Sequence, residues 1–319
     1  MYSIRTAMSA LAVVFGLTSS ASAIPFSFTP IDVPGSLGTV AQDINNAGDI
    51  VGQFSASPPA PVRQGYLLSG GSFKPIIVPG ALRTGLTNIN NLGQTVGFFR
   101  DNAGVDHGFL LSGGNFTTIE PTGATTSFAN GINDSGRIVG QYTDAGGTDH
   151  GFLFSGGTFT PIDVPGAQAT SANDINNVGQ IVGFFTDAAG NTRSYLRNLD
   201  GSFTFIDAPG ATATFVEGGI NNLGDIVGDF DSPTGTHGFL LSGGMFTIID
   251  APGAKATFAI GINDLDEIVG AFDPSAPNTH RLGFLATPAP EPSTLVLLAA
   301  ALFGLITTGA FRKIGQPHP

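Results

Sequence analysis

A nine-residue phrase, Ile-Asn-Asn-Ala-Gly-Asp-Ile-Val-Gly at 44–52, returns with small changes at 89–97, 132–140, 175–183, 220–228 and 262–270. Two further markers recur with it in fixed order. Phe-Thr-Pro-Ile-Asp-Val-Pro-Gly at 28–35 is echoed at 73–80, 116–123, 159–166, 203–210 and 246–253. His-Gly-Phe-Leu-Leu-Ser-Gly-Gly, complete at 107–114, places its first Gly or the replacement at 65, 108, 151, 194, 238 and 283. The unit is therefore about 43 residues long and present six times. A period of this length excludes most folds at once, because each unit must bury its apolar face against its neighbours.

Each unit holds four short strand candidates, as in Thr-Ser-Phe-Ala-Asn-Gly-Ile at 126–132, then 137–143, 150–155 and 159–164. They are rich in Phe, Ile, Val and Thr and are separated by turn residues, and no stretch within 24–287 carries helical periodicity. Four strands in some 43 residues predict an all-β fold, a six-bladed β-propeller. The register of the ends sharpens this expectation. Residues 26–33 supply a fourth strand without its first three, and the last unit has three strands without a fourth. The N-terminal strand is thus expected to pair with 283–287 and close the last blade, which removes a free sheet edge.

The repeated phrase itself reads as shape. In Ile132-Asn133-Asp134-Ser135-Gly136-Arg137 the Asn and Gly fit a turn in which Gly takes the left-handed conformation and Asn bonds the backbone. A calcium loop needs several oxygen ligands including a bidentate Glu, whereas 89–97 contains no acid.

The ends have another character. Residues 1–23 carry Arg5, an apolar run and Ala21-Ser22-Ala23, the pattern of a secretory signal peptide. At the other end, 295–311 is uncharged and Arg312-Lys313 follow. Seventeen residues rise about 25 Å as a helix, near the lower limit for a bilayer, and the basic pair belongs on the cytoplasmic side. Pro290-Glu291-Pro292-Ser293-Thr294, the short apolar segment and the basic end together resemble the PEP-CTERM sorting signal of exported bacterial proteins. The basic cluster is short and six residues follow it. The resemblance implies recognition by an exosortase-type membrane protease, with Pro290, Glu291, Pro292, Arg312 and Lys313 as the signal. It divides the chain into a signal peptide (1–23), the propeller (24–287), a Pro-rich sorting motif (288–294), a transmembrane sorting helix (295–311) and a cytoplasmic tail (312–319). The expected course is export, transient anchoring in the inner membrane, and release near Glu291 to the cell surface or extracellular matrix. The rival is a permanent anchor.

The chain has no Cys, so disulfides contribute nothing to its stability. Between 24 and 287 there are nine Lys and Arg against twenty-three Asp and Glu, a net charge of −14. That excludes nucleic acid as a partner, since its binders present a basic face.

Periodic polar residues are poor candidates for chemistry, because equivalent positions lie around a ring and do not converge. His107, His150, His237 and His280 are therefore read as bonding neighbouring turns, and Asp32, Glu120, Asp163, Asp207 and Asp250 as turn or inter-blade bonds. No cofactor or metal is expected. Departures from the repeat carry more information. The innermost strand offers Gln42, Thr87, Asn130, Asn173 and Ile260 two residues before its Ile, with Glu217 in the corresponding place of the fifth unit, which has one extra residue. Asp43, Asn88 and Asp174 come next in three units. Gln42, Asp43, Asn88, Asn130, Asn173, Asp174 and Glu217 can face one channel mouth, either as a sugar- or cation-binding ring or as the polar lining of a wet channel. The fourth unit adds Arg193 and Arg197 beside Tyr195, either a clamp for an acidic sugar or a solvated loop.

The unit also resembles the extracellular HAF-repeat proteins, which pair a His-Ala-Phe-like strand with an Ile-Asn-x-x-Gly turn. Here Gly stands for Ala, and the resemblance implies no activity. The expectation is a non-enzymatic exported surface or matrix protein that binds polysaccharide or envelope components. Two alternatives stand beside it. One is a propeller-based glycan hydrolase or lyase using Glu217 and a neighbouring Asp; the other is a structural matrix protein without a specific ligand.

Overall fold

A computed structural model describes residues 26–56, 63–276 and 279–289. The signal peptide, most of the sorting motif with Pro290, Glu291, Pro292, Arg312 and Lys313, the 295–311 segment and the 312–319 tail lie outside the described residues. Twenty-four strands run from β1 (Phe26–Ile31) to β24 (Leu282–Pro288), with no helix among the described residues.

The expectation of six separate blades is corrected. Four sheets stand alone with four strands each, over 39–76, 83–119, 126–162 and 169–206. The strands of the last two units form one eight-stranded sheet. Its two halves meet where β20 (Gly235–Ser242) runs parallel to β22 (Ala254–Ile262) with Thr236 opposite Ala256. Local length explains the join. A tight turn carries the ladder of β19 (Ile226–Ser232) and β20 out to Ser232 opposite Gly235, and β22 is extended from Ala254 onward. Both strands overrun their equivalents and touch.

The closure read from the chain ends is present. β1 pairs antiparallel with β24 from Phe26 opposite Pro288 to Ile31 opposite Gly283. Phe26 and Phe28 pack against the cluster of Val227, Ile249, Ile268 and Phe284.

The third strand of each unit carries one fully buried aromatic: Tyr66, Phe109, Phe152, Tyr195, Phe239 or Phe284. Each is worth about 2–3 kcal/mol of apolar burial. Such a ring needs room beneath it, which the Gly of Ile-Val-Gly provides. A Cβ on Gly140 would run into the Phe128 carbonyl oxygen and the Phe152 ring. Sheet packs on sheet through these groups, so that Val96 of one sheet joins Ile132, Ile138 and Phe152 of the next.

The innermost strands are bulged. The register slips between Ala41 and Asp43, Leu86 and Asn88, Ala129 and Gly131, Ala172 and Asp174, and Ala259 and Gly261. A bulge breaks the alternation of faces and re-aims a side chain. The residues skipped are Gln42, Thr87, Asn130, Asn173 and Ile260, so in three units a consecutive pair, Gln42 with Asp43, Thr87 with Asn88 and Asn173 with Asp174, looks into the channel.

Candidate functional site: an axial channel with two unlike mouths

The turns between first and second strands gather at one mouth, the crown. In each, the first Asn bonds its own loop: Asn133 Oδ1 accepts the amides of Ser135 and Arg137, both at 3.1 Å. Gly136 has φ +73°, as the turn requires. The Asn phrase does more than turn the chain. The Nδ2 groups of Asn45, Asn90, Asn133, Asn176, Asn221 and Asn263 each donate to the backbone carbonyl of the next unit's Asn at 3.1–3.3 Å, and the last returns to the first. A second closed ring lies one residue on. There the backbone N–H of Asn46, Asn91, Asp134, Asn177, Asn222 or Asp264 donates to the Oδ1 of the next at 2.7–3.0 Å. Two members of this ring are acids. Burial opposes ionisation of Asp134, but the side-chain amides of Asn91 and Asn177 outweigh it and hold its pKa below the usual value. The amides of Asn46 and Asn222 do the same for Asp264.

Below the rings the axis is plugged. Asp43 Oδ2 accepts the Ile89 amide at 2.9 Å, and Asn88 Oδ1 that of Ile132 at 3.1 Å. Asp174 accepts from Ile175, Ile220 and Asn88 Nδ2 at 2.8–3.1 Å. Glycine makes room opposite: a Cβ on Gly131 would meet Asp174, and one on Gly261 would meet Asp43. Burial raises both carboxyl pKa values, and the charge of Asp174 adds to the effect on Asp43. The space above the plug measures about 60 Å³, too little for a sugar ring. The crown spends its polar groups on itself, with the buried Thr95 Oγ1 beside the Asn90 turn as the exception that has no partner.

The other mouth is a bowl with two lobes that share Gln42, Glu217 and Ile260. One lobe, of about 220 Å³, lies on the axis among Phe98, Phe128, Phe184, Asn130, Gln141 and Asn173. The larger, of about 430 Å³, opens between the first and last units and is lined by Gln53, Phe54, Arg63, Phe258 and Arg281. Together they fall within the size of small-molecule sites.

Polar satisfaction separates the lobes. Asn130 Nδ2 donates to the Ala172 carbonyl at 3.1 Å and Asn173 Nδ2 to that of Val216 at 2.8 Å, replacing ladder bonds lost at the bulges. In the larger lobe Gln53 is 7% exposed and its Oε1 has no partner. Asp229, 4% exposed and outside the lining of either lobe, also leaves Oδ1 without one. Burial, then the charges of Glu217 and Asp231, push the Asp229 pKa up to about 8 against the pull of Arg281. Glu217 is enclosed on most sides yet reached by water. Its surroundings raise its pKa, again opposed by Arg281. Arg281 is fixed, bonded to both Asp273 oxygens at 2.8 Å and lying 4.4 Å over the Phe258 ring.

The seven residues singled out from the sequence thus divide. Gln42, Asp43, Asn88, Asn130, Asn173 and Glu217 line the axial lobe, while Asp43, Asn88 and Asp174 form the plug at the foot of the crown. Gln53, Phe98, Gln141, Phe184 and Asp229 were not singled out. They occupy the position directly after Ile-Val-Gly or Thr-Val-Gly, which changes from unit to unit with Ala271 as the sixth, and a search for variable positions beside a constant motif would have found them.

The histidines sit elsewhere, in sockets on the sheets. His150 meets Asp163 at 3.1 Å, His237 meets Asp250 at 2.8 Å and His280 meets Asp32 at 3.2 Å, while His107 meets Glu120. The recurrent acids therefore bond a side chain of their own sheet, and Asp32 also makes the expected turn and inter-blade bonds, accepting from Ser36 Oγ and Thr39 Oγ1 at 3.0 Å. Arg193 fills the same socket against Asp207 at 2.8 Å, so it is no free clamp. Among the described residues no group of three or more His, Asp or Glu is placed to hold a metal ion.

β24 ends at Pro288, and residues 288–313 match the PEP-CTERM protein-sorting motif. The chain carries a PEP-CTERM sorting signal. It is therefore an exported protein with a membrane-anchored sorting signal, processed by exosortase-type machinery. The repeats are propeller-like, but no comparison identifies them as HAF units. No curated protein matches the chain. The fold is similar to that of AofleA from Arthrobotrys oligospora, with TM-score 0.51 and 12% identity over 84% of this chain and 90% of that one. It is also similar to a putative TolB from Agrobacterium tumefaciens, with TM-score 0.51 and 12% identity over 79% and 91%. TolB from Acinetobacter baumannii aligns with TM-score 0.51 and 13% identity over 66% of this chain, which spans 54% of that protein's length. At such identity these likenesses show the fold alone.

Proposed function

We propose that this PEP-CTERM protein is a non-enzymatic surface or extracellular-matrix component that binds polysaccharide in the bowl. The observation that carries the reading is the unsatisfied Gln53 Oε1, buried in a lobe that also presents the rings of Phe54 and Phe258. Aromatic faces beside a few fixed amides and charges are the make-up of a site for an amphipathic small ring. A buried acceptor left unpaired is a standing cost, which is removed when the side chain turns to meet a ligand hydroxyl. The acidic domain suits a matrix of neutral or amine-bearing sugars better than one of uronic acids. In this reading the sorting segment is removed near Glu291, and the propeller stays at the cell surface or in the matrix. The likeness of the repeats to extracellular HAF units belongs to the same proposal.

Glu217 and Asp229 favour a second reading, glycan cleavage, since two neighbouring carboxyls with raised pKa values are what acid–base hydrolysis uses. A glycan-array screen of the purified protein, with reducing-sugar release assayed on every positive, tests both. Saturable binding without release supports the first reading and release supports the second. An array with no positives overturns both and leaves a structural matrix protein.

A further inference from the structure

The sorting motif starts at Pro288, and the direction of β24 decides which face the chain leaves from. β24 is antiparallel to β23 (Ile268–Pro274), with Ala286 opposite Ile268. Ile268 follows directly on the Asn263 turn, so β24 climbs toward the crown and Pro288 lies on the crown side. Elsewhere this place in the unit is a Gly-Gly hairpin such as 155–158. From Ala289 to Leu295, where the uncharged run begins, is a span of six residues, at most about 20 Å when fully extended. The bowl opens at the other end of strands about seven residues long, a further 20 Å or so away.

The crown carries side chains that the fold does not use. Leu92, Val178, Leu223 and Leu265 are 69, 54, 70 and 59% exposed. All four occupy the third position of the Asn turn, where Ala47 and Ser135 serve in the other units, so the turn itself requires no apolar group. Four aliphatic side chains standing around one mouth are a patch, unlike single exposed leucines. Asp134 and Asp264, held ionised by their amide partners, stand among them with Asp49, Asp225, Asp266 and Glu267 near by and Arg137 as the one cation in these turns. An anionic surface would be repelled, which leaves a zwitterionic one.

We propose that the crown rests on the outer surface of a zwitterionic bilayer for as long as the sorting segment is held in the membrane. Leu92, Val178, Leu223 and Leu265 then lie among the headgroups and the bowl faces away. The short tether brings the ring to the membrane, and the aliphatic crown selects which face lands. The bowl can take up a ligand before the protein is released.

The absence of Cys allows a direct test. The full chain is reconstituted in phosphatidylcholine–phosphatidylethanolamine vesicles with a fluorophore on Leu92→Cys, Leu223→Cys, Leu265→Cys or, on the bowl side, Ala103→Cys. Quenching by headgroup nitroxide lipid should be at least threefold stronger at all three crown sites than at Ala103. Leu92 is decisive, because it lies two units around the ring from the exit strand. Quenching at Leu265 without Leu92 would mean the ring stands on edge, and equal quenching at Ala103 or none anywhere would mean that the crown does not dock. Either result overturns the proposal. All labelled crown positions are exposed, and if one variant fails to fold the others carry the comparison.

Discussion

The two mouths of the channel are built from the same repeat and obey opposite rules. At the crown, equivalent residues make equivalent bonds, and two hydrogen-bond rings close on themselves. At the bowl, equivalent positions hold Gln53, Phe98, Gln141, Phe184 and Ala271, with Asp229 buried at the same position of the fifth unit, outside the lining. Two of these leave buried acceptors unpaired, and one is a carboxyl whose pKa lies near 8. A repeat that satisfies its polar groups around a ring gains stability from symmetry. One that leaves them unsatisfied on one side gives up stability there, as binding sites do. The crown is the structural half of the channel, and the bowl is the half in which we propose that binding occurs.

The largest effect should come from breaking the ring that both mouths share. Deleting 26–31 strips the partner from β24 and removes Phe26 and Phe28 from their cluster. Loss of this packing should lower Tm by about 10 °C or more. A deletion variant that melts with the full chain would show that closure contributes nothing.

Next comes the crown. Asn133→Ala removes three bonds within its turn, from the Ser135 amide and hydroxyl and the Arg137 amide, and the Nδ2 link to the Asn176 carbonyl, all from a buried side chain. The cost should be about 2 kcal/mol or more, read by urea unfolding. Added calcium or chelator should leave the melting of either protein unchanged, because these oxygens already accept backbone amides.

The bowl should respond with the opposite sign. The Asp229 carboxyl titrates near 4 in an unfolded chain and near 8 in the fold. The fold therefore prefers the protonated form. Its contribution is fully present below about pH 4 and is lost as pH rises toward 8. Asp229→Asn, uncharged throughout, should match the wild-type protein at pH 4 and exceed it by a few kcal/mol at pH 8. Thermal melts across that range check it, and a variant less stable at pH 8 would show that the charged form is needed for folding.

The smallest effect tests the crown's one local exception. Asp266 stands where the other turns have Gly and has φ +58°. The charges of Asp225 and Asp264 add to its burial in raising its pKa. Asp266→Gly should stabilise by about 1 kcal/mol, visible as a rise in Tm of a few degrees.

Much of this was legible in the sequence. The period, the strand candidates and the expected pairing of 26–33 with 283–287, found as 26–31 with 283–288, follow from side-chain patterning and from which strands each end lacks. The join of the last two units was not legible, because it depends on β20 and β22 each overrunning by a residue or two at one edge, and strand ends are the part that local pattern controls least. The Asn rings were half legible. Asn133 could be read as a turn residue, but its Nδ2 bond reaches a carbonyl 43 residues away, which no local signal encodes. Gln42 and Asp43 were read as facing one channel, which strict strand alternation forbids. The bulge between Ala41 and Asp43 permits it. Glu217 drew notice as an insertion, while Asp229, one face of a regular strand, did not.

The division of labour between the mouths is tested most directly by titration calorimetry with an array-positive saccharide. Wild-type protein is compared with Gln53→Ala and Phe258→Ala in the bowl and Leu223→Ser on the crown, each first shown to melt as a single folded species. Loss of the buried acceptor or of the stacking face should weaken binding about tenfold or more, a difference of about 1.4 kcal/mol or greater, while Leu223→Ser binds as the wild type does. Binding that survives both bowl substitutions, or that is lost with Leu223, would place the ligand elsewhere and contradict the account.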